Sequence, residues 1–427
     1  MLTIPIGVTG DIGENSRNLI NYFERNGATP CLSGVNPAEW MLEAICAAPG
    51  SSSKIDWHEK WRASEEYHEV LHELGKLRAK HDGQSSKDNQ PDAASYDEFA
   101  ASFWQQFLIV TRRTFQHSWH SPAYIYSKLA LCTICSLFIG LVFFNAPLTI
   151  QGLQNQMFAI FELMSIIGQL VEQQMPNFVI QRSLYEVRER PAKTYSWKVF
   201  MLSQIISEIP WMTLSSLLMW ALFYYPVGFY KNADVLDQGT ERGLLMWLLF
   251  WVLLIWVSTF AHMCVSFSDS ADGGGNVANS LFIFIFFFCG VLASPDQMPR
   301  FWIFLYRVSP LSYFVSATLS TALGNIEITC AENEFITLAP PGGQTCGGYL
   351  SEYISRAGGY LLDSNSTSDC YYCKLKDTNA YLAALNSEYD TRWRNFGIMW
   401  AYIAFNIGAA MILYWIVRMP KGKKKTM

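Results

Sequence analysis

Six apolar runs, at residues 126–144, 157–179, 199–225, 244–264, 277–292 and 396–417, restrict this chain more than any other feature. Each is near the roughly 20 residues that a helix needs to cross a hydrocarbon core. Inside a bilayer every backbone polar group must be satisfied internally, so runs of this length are expected to be helices. The expected fold is an all-α polytopic membrane protein with six transmembrane helices. Only 16% of the residues are charged and 51% are apolar, against roughly 25% charged in soluble proteins. Net charge is −5 and the basic clusters flank apolar runs, which gives no electrostatic footprint for a nucleic-acid partner. The first fifteen residues lack the charged start, apolar core and cleavage site of a signal peptide, so an internal span is expected to direct insertion.

Between the second and third runs lies a compact charged segment, residues 181–197, QRSLYEVRERPAKTYSW. Arg182, Arg188, Arg190 and Lys193 outnumber Glu186 and Glu189, and short loops rich in Lys and Arg stay on the cytoplasmic side. The spacing predicts one or two helical turns over residues 184–190, stopped by Pro191, which has no N–H and clashes with the preceding turn. The tail carries Arg418, Lys421, Lys423, Lys424 and Lys425, so both ends and this loop fall inside with an even number of spans. The 266–276 loop must then be cytoplasmic too, although it holds Asp269 and Asp272 and no Lys or Arg.

Upstream, Gly7, Gly10 and Gly13 read as turns, and residues 16–26 as an amphipathic helix with Leu19, Ile20, Tyr22 and Phe23 inward. Asn36 can cap a helix that begins with Pro37. Residues 56–78, with Trp57, Trp61, Val70, Leu71, Leu74 and Leu77 on one side, predict a second amphipathic helix. A polar linker follows at 83–94. Ser95 and Glu98 can form a capping box for a helix to about His117. Its apolar side holds Phe99, Phe103, Trp104, Phe107 and Val110 and ends in Arg112 and Arg113, as an interfacial helix needs. His117 and His120 lack a third ligand, so no metal site is assigned.

NPAEWMLE at residues 36–43, preceded by LINYFERNGATPC, resembles the end of the second nucleotide-binding domain of fungal and oomycete ABC transporters of the pleiotropic drug resistance type, in the G subfamily. LYEVRERP followed by YSW resembles the same family's cytoplasmic loop between its second and third membrane helices. The resemblance covers nearly the whole chain. It implies a connecting helix at residues 97–120, hydrophobic drugs, sterols or lipids as substrates, and the plasma membrane as location. No G-x-x-x-x-G-K-[ST] phosphate loop occurs, and the PGGQ at 341–344, similar to part of the family's signature loop, is not assigned to it because it lies between two clustered cysteines in a segment expected outside the cell. The expectation is thus the C-terminal portion of a pump: a nucleotide-binding remnant at 1–50, a cytoplasmic helix and linker at 51–96, five spans within 121–293, an external region at 294–395, and the last span with its basic tail at 396–427. No cofactor is assigned to this chain; ATP and magnesium are expected on nucleotide-binding domains outside it.

The second run carries a polar stripe of Asn155, Glu162, Ser165, Gln169 and Gln173, with Glu172 at its margin. A carboxylate in lipid costs about 2.5 to 3.5 kcal/mol on the lenient scales, so this side should face protein or water. The third run adds Gln204, Glu208, Trp211 and Ser215, and the fourth Ser258 and His262. Two readings stand: hydrogen bonds that join helices, or a translocation path. The path residues would be Glu162, Gln169 and Glu208, with Met157, Phe158, Phe161, Met164, Phe282, Phe284 and Phe288 as apolar contacts. Glu186, Arg188, Glu189, Arg190 and Pro191 would couple the spans to a cytoplasmic partner.

After the fifth run, Pro295, Pro299 and Pro310 break the apolar residues 294–325 into pieces too short to cross, which predicts re-entrant helices. Of ten cysteines, Cys330, Cys346, Cys370 and Cys373 share the polar segment 325–394 with the sequon Asn365-Ser366-Thr367. Outside the cell these cysteines form disulfides rather than a zinc site, in any of three pairings, and Asn365 is a glycan acceptor. Three functions are open. The first is the membrane half of an ATP-driven exporter of hydrophobic or amphiphilic compounds, partnered by nucleotide-binding domains and a second transmembrane half. The second is a regulatory or degenerate membrane subunit that pairs with a complete transporter. The third, a membrane enzyme using Glu162, Glu172, Glu208 or His262, lacks any nucleophile–base or ligand spacing, so no catalytic residue is assigned.

Overall fold

Among the described residues of the computed structural model, four helices are long and apolar enough to cross a membrane: Pro122–Val142, Trp197–Val227, Gly239–Ser266 and Tyr389–Arg418. The structure describes residues 12–45, 55–85 and 98–419. Expectations for Gly7, Gly10, Cys46, most of the 83–94 linker, Ser95 and the tail lysines lie outside the described residues. The chain divides into two units, Met1–Asp97 and Glu98–Met427.

In the first unit, α1 (Arg17–Arg25), α2 (Pro37–Ala44), α3 (Trp57–Arg62) and α4 (Glu65–Ser85) surround a small aromatic core. Asn36 caps α2 as expected, its side chain accepting the Ala38 N–H at 3.1 Å. Phe23 is fully buried, with the Trp57 ring 4.9 Å and the Trp40 ring 6.1 Å away. The indole N–H groups of Trp40 and Trp57 each donate to a backbone carbonyl, of Thr29 and Ala44, at 2.9 Å. The single helix expected over 56–78 is two helices, and Leu71, Leu74 and Leu77 stay exposed. Trp57 and Trp61 instead turn onto α1 and α2, because a buried indole removes far more apolar area from water than one continuous helical turn preserves.

The second unit opens with α5 (Phe103–Trp119), whose first turn is closed by Ser102 and Gln105; residues 98–102 before it are not helical. Its packed side also differs from the expectation. Gln106, Val110, Thr114 and Ser118, at successive i, i+4 positions, are buried, while Trp104, Leu108 and Ile109 remain exposed. The small Thr114 and Ser118 let α5 approach its neighbours closely; Phe107 packs against the core and Phe115 stacks on Trp211 at 5.6 Å, while Trp104 and Trp119 stay exposed.

The helices then follow as α6 (Pro122–Val142), α7 (Ile150–Met164), α8 (Ile167–Leu184), α9 (Trp197–Val227), α10 (Phe229–Asp234), α11 (Gly239–Ser266) and α12 (Ala271–Phe287). The run expected as one second span is interrupted between α7 and α8, where the Ser165 N–H bonds to Glu162 O, a tightened i→i−3 turn. The central helix is α11: 78% of its apolar window is buried, against 22% for the last span. It packs on α8, α9, α12 and the final helix. At Gly140 of α6 a Cβ would lie 2.6 Å from Leu222 O, so only glycine permits this approach to α9.

Residues 294–325 form two short helices, α13 (Ile303–Val308) and α14 (Pro310–Leu323), and nearly every residue of α14 is buried. A small segment of α15 (Cys346–Ala357), α16 (Thr378–Ala384) and a three-stranded antiparallel sheet follows. Its strands are β1 (Ile336–Leu338), β2 (Tyr360–Leu361) and β3 (Cys370–Cys373), with β3 central and Ile336 opposite Tyr372. The chain closes with α17 (Arg392–Arg418).

Candidate functional site

The charged segment after α8 is a junction. It is not a separate helix: α8 runs to Leu184 and continues as a π-helical turn over Tyr185–Glu189, closed by Arg190 N–H to Tyr185 O at 2.7 Å. The wider turn aims Glu189 toward α5, and Glu186 and Arg190 toward α17. Glu189 accepts from Arg113 of α5 and from the Tyr195 hydroxyl, and Arg113 also donates to Tyr195 at 2.9 Å. Glu186 accepts from the Tyr414 hydroxyl of α17 at 3.1 Å and lies 3.9 Å from Arg418. Arg190 donates to Arg418 O at 2.9 Å. Partial burial works against the Glu189 charge, but the Arg113 and Tyr195 hydrogen bonds outweigh it and hold the carboxyl below its ordinary range.

The 266–270 stretch obtains its missing cations from this junction. Arg418 pairs with Asp269 at 2.8 Å, and Arg182 donates to Val265 O at 2.7 Å and Asp269 O at 3.0 Å. Of the five residues assigned to coupling, Glu186, Glu189 and Arg190 are thus engaged within the chain. Arg188 and Pro191 are exposed, and so is Val187, at 80%.

Inside the bundle, Glu208 of α9 sits apart from the other proposed path residues. It pairs with Lys128 of α6 at 2.8 Å and accepts the Tyr124 hydroxyl at 2.9 Å, while Lys128 reaches Tyr124 at 3.1 Å. Both charged side chains are almost wholly buried. Sequence reasoning missed Lys128, since it began the first span beside this residue; a lone lysine just inside an apolar run was the available signal. His262 and Ser258 of α11 join α8 through Gln174, whose amide nitrogen lies 2.9 Å from Ser258 Oγ and 3.0 Å from His262 Nδ1. These polar groups link helices to one another.

The second-span stripe behaves differently. Glu162, Ser165, Gln169 and Glu172 are exposed along α7 and α8, with Phe158 at 43% continuing the same line. On α12, Phe284 is 56% exposed, and Asn279 of that helix donates to Glu172. Met157 and Met164 are buried and Phe161 stacks on Phe286 at 4.4 Å, so these three serve packing here.

At the opposite end of the bundle the four clustered cysteines pair as Cys330–Cys373 and Cys346–Cys370. Asn365 is exposed in the loop between β2 and β3. Glu334 ties this segment to the first turn of α7, accepting N–H groups of Gln151 at 2.7 Å and Ile150 at 3.1 Å. Partial burial opposes its charge, yet the amides of Gln151, Ala331 and Ile150 outweigh that and hold the carboxyl below its ordinary range.

This arrangement has close relatives. Residues 105–323 match the model of the ABC-2 type transporter family, and residues 377–427 match that of the CDR ABC transporter segment. The chain is 68% identical over 416 residues to the ABC transporter eupT of a Phoma species. It is 52% identical over 421 residues both to the ABC-type transporter oblD of Aspergillus clavatus and to the ABC multidrug transporter A-1 of Aspergillus fumigatus. Each match covers 97% of this chain and 29% of the relative's length, so the chain spans under a third of these proteins. A helical bundle with four helices long and apolar enough to cross a membrane, a charged junction after α8 and these matches lead to one conclusion: the chain belongs to the ABC-2 type transporter family, in its pleiotropic drug resistance (CDR) group.

Proposed function

We propose that this chain forms one transmembrane half of an ATP-driven exporter of hydrophobic or amphiphilic compounds. The observation that carries the reading is the exposed stripe of Glu162, Ser165, Gln169 and Glu172 on helices of a membrane domain. Two carboxylates facing acyl chains would each cost about 2.5 kcal/mol or more, so the stripe faces a second transmembrane half across a hydrated path. Exposed Phe158 and Phe284 flank it and offer sequence-tolerant apolar contact to a substrate. The name of the multidrug transporter relative supports the substrate class.

In this reading α7–α8 and α12 join the four long helices as six spans, and α13–α14 enter the bilayer and return. The junction at 185–195 is cytoplasmic. Val187, Arg188 and Pro191 meet a nucleotide-binding domain, which carries ATP and Mg²⁺, and Glu186, Glu189 and Arg190 pass its movement to α17 and α5. The disulfide-bonded segment is external, Asn365 carries a glycan, and the membrane is the plasma membrane. The test uses the full-length transporter in proteoliposomes with a fluorescent hydrophobic dye. Glu162→Ala together with Gln169→Ala should cut ATP-stimulated flux at least about tenfold while ATP hydrolysis continues. Unchanged flux would remove the stripe from the path.

A further inference from the structure

A recess of about 610 Å³ opens between α9, α10 and α11, a size within the roughly 300–1,000 Å³ of small-molecule sites. Asn232 of α10 donates to Ala322 O of α14 at 3.3 Å, and the neighbouring Leu323 O accepts from Thr378 of α16, so the recess lies at the end of the bundle that carries the disulfides. Trp220, Tyr225, Tyr230 and Trp247 line it, and none of the four is buried. Both indole nitrogens are enclosed by protein, so the surface that the two tryptophans leave open is ring carbon. Tyr225, 51% exposed, joins the set: its ring centroid lies 5.5 Å from that of Trp220 and 5.8 Å from that of Tyr230.

Asp234 is the only charged side chain in this lining. Its carboxylate is placed by Gly239, another lining residue, on which a Cβ would sit 3.0 Å from Asp234 Oδ1. Asp234 is exposed, and no ion pair among the described residues involves it. Lys231, one turn earlier on α10, does not line the recess; it donates to Asn145, with its ammonium 5.9 Å from the Tyr230 centroid. An aromatic wall thus meets a carboxylate that has no cation.

We propose that this recess binds a lipophilic organic monocation of the quaternary ammonium or phosphonium type. Aromatic faces are negative and attract cations most strongly where water is excluded, and a cation with apolar substituents sheds little water on entering. Asp234 supplies the counter-charge, and with no basic side chain in the lining an anion of the same shape is repelled. A metal ion would need several oxygen ligands, whereas the lining offers one carboxylate, and no group of three metal-ligating side chains occurs among the described residues. Leu217 and Leu244 also line the recess and stay exposed, so they meet the apolar substituents. The site is built from helices other than α7, α8 and α12 and does not rest on their stripe being a transport path.

The test compares tetraphenylphosphonium with tetraphenylborate, ions of nearly the same shape and opposite charge, on the full-length transporter in non-ionic maltoside detergent without nucleotide. The readout is amide hydrogen exchange at residues 225–244, followed by mass spectrometry. Tetraphenylphosphonium should slow exchange there saturably, at a free concentration at least about tenfold below any at which tetraphenylborate does so. Asp234→Asn, an isosteric change at an exposed position, should raise the half-saturating concentration about fivefold. Tyr225→Leu, which keeps apolar area and removes a ring, should raise it about threefold. Equal protection by the two ions, or none at these residues, overturns the proposal, as does an unchanged midpoint in either variant. If Tyr225→Leu melts early, Asp234→Asn alone decides.

Discussion

Two triads in this chain each join a cation, a glutamate and a tyrosine, in different surroundings. Lys128, Glu208 and Tyr124 join α6 to α9, and Arg113, Glu189 and Tyr195 join α5 to the turn after α8. The charged side chains of the first are 2% and 6% exposed, those of the second 48% and 14%. Burial decides what each contributes. A desolvated ion pair is costly to assemble, so the loss of one partner leaves a charge that nothing compensates. The second pair is open to water on its Arg113 side, where it is partly screened and worth less to stability. The first triad fixes two helices; the second is the more readily exchanged.

The comparison breaks most visibly at Lys128. Lys128→Met should destabilise the protein by about 3–5 kcal/mol, read from thermal unfolding in detergent; a loss under about 1 kcal/mol would mean that Glu208 is hydrated. Adding Glu208→Leu should recover most of that loss, since an apolar pair replaces a buried ionic one at little cost. No recovery would assign the carboxylate a further partner. Glu189→Lys tests the other triad. It should change stability by no more than about 1 kcal/mol and leave surface expression intact, yet uncouple ATP hydrolysis from export in the full-length transporter. Retained export would remove the junction from coupling.

Acidity sharpens the contrast further. The folded Glu189 carboxyl titrates below its ordinary value of 4.5. Its contribution is therefore complete above that pH and is lost as pH falls through the lowered value. A unit-by-unit acid titration should loosen α5, seen as faster amide exchange there, and Glu189→Gln should abolish the pH dependence. The smallest effect belongs to Glu334→Gln, which removes a charge from the first turn of α7 and should cost about 0.3–1 kcal/mol, detectable as a small fall in melting temperature.

Much of this was legible in the residues themselves. Apolar length marked the four long helices α6, α9, α11 and α17, Asn36 before Pro37 marked the start of α2, and four cysteines beside a sequon marked the disulfide-bonded segment. The packed side of α5 was legible only in part: Val110 and Phe107 pack as their spacing suggests, while Phe103 and Trp104, which carry the same periodic signal, are left exposed. Nor was the isolation of Glu208 from Glu162 and Gln169. Both groups show helical spacing, and spacing assigns residues to one side of a helix without saying what that side meets. The acidic 266–270 stretch looked inconsistent with its neighbours because its cations, Arg182 and Arg418, arrive from α8 and α17.

The sequence by itself determined the membrane class, the helical content and the family, since each follows from local quantities: apolar run length, backbone hydrogen bonding, short contiguous motifs. Only the tertiary structure decided which cation meets which carboxylate, which cysteines pair, and which polar stripe stays open. Lys128 and Glu208 are 80 residues apart, and Arg190 and Arg418 are 228 apart. Contacts at such separation are set by how whole helices pack, through close approaches such as Gly140 against Leu222, and not by the residues on either side of them in the chain.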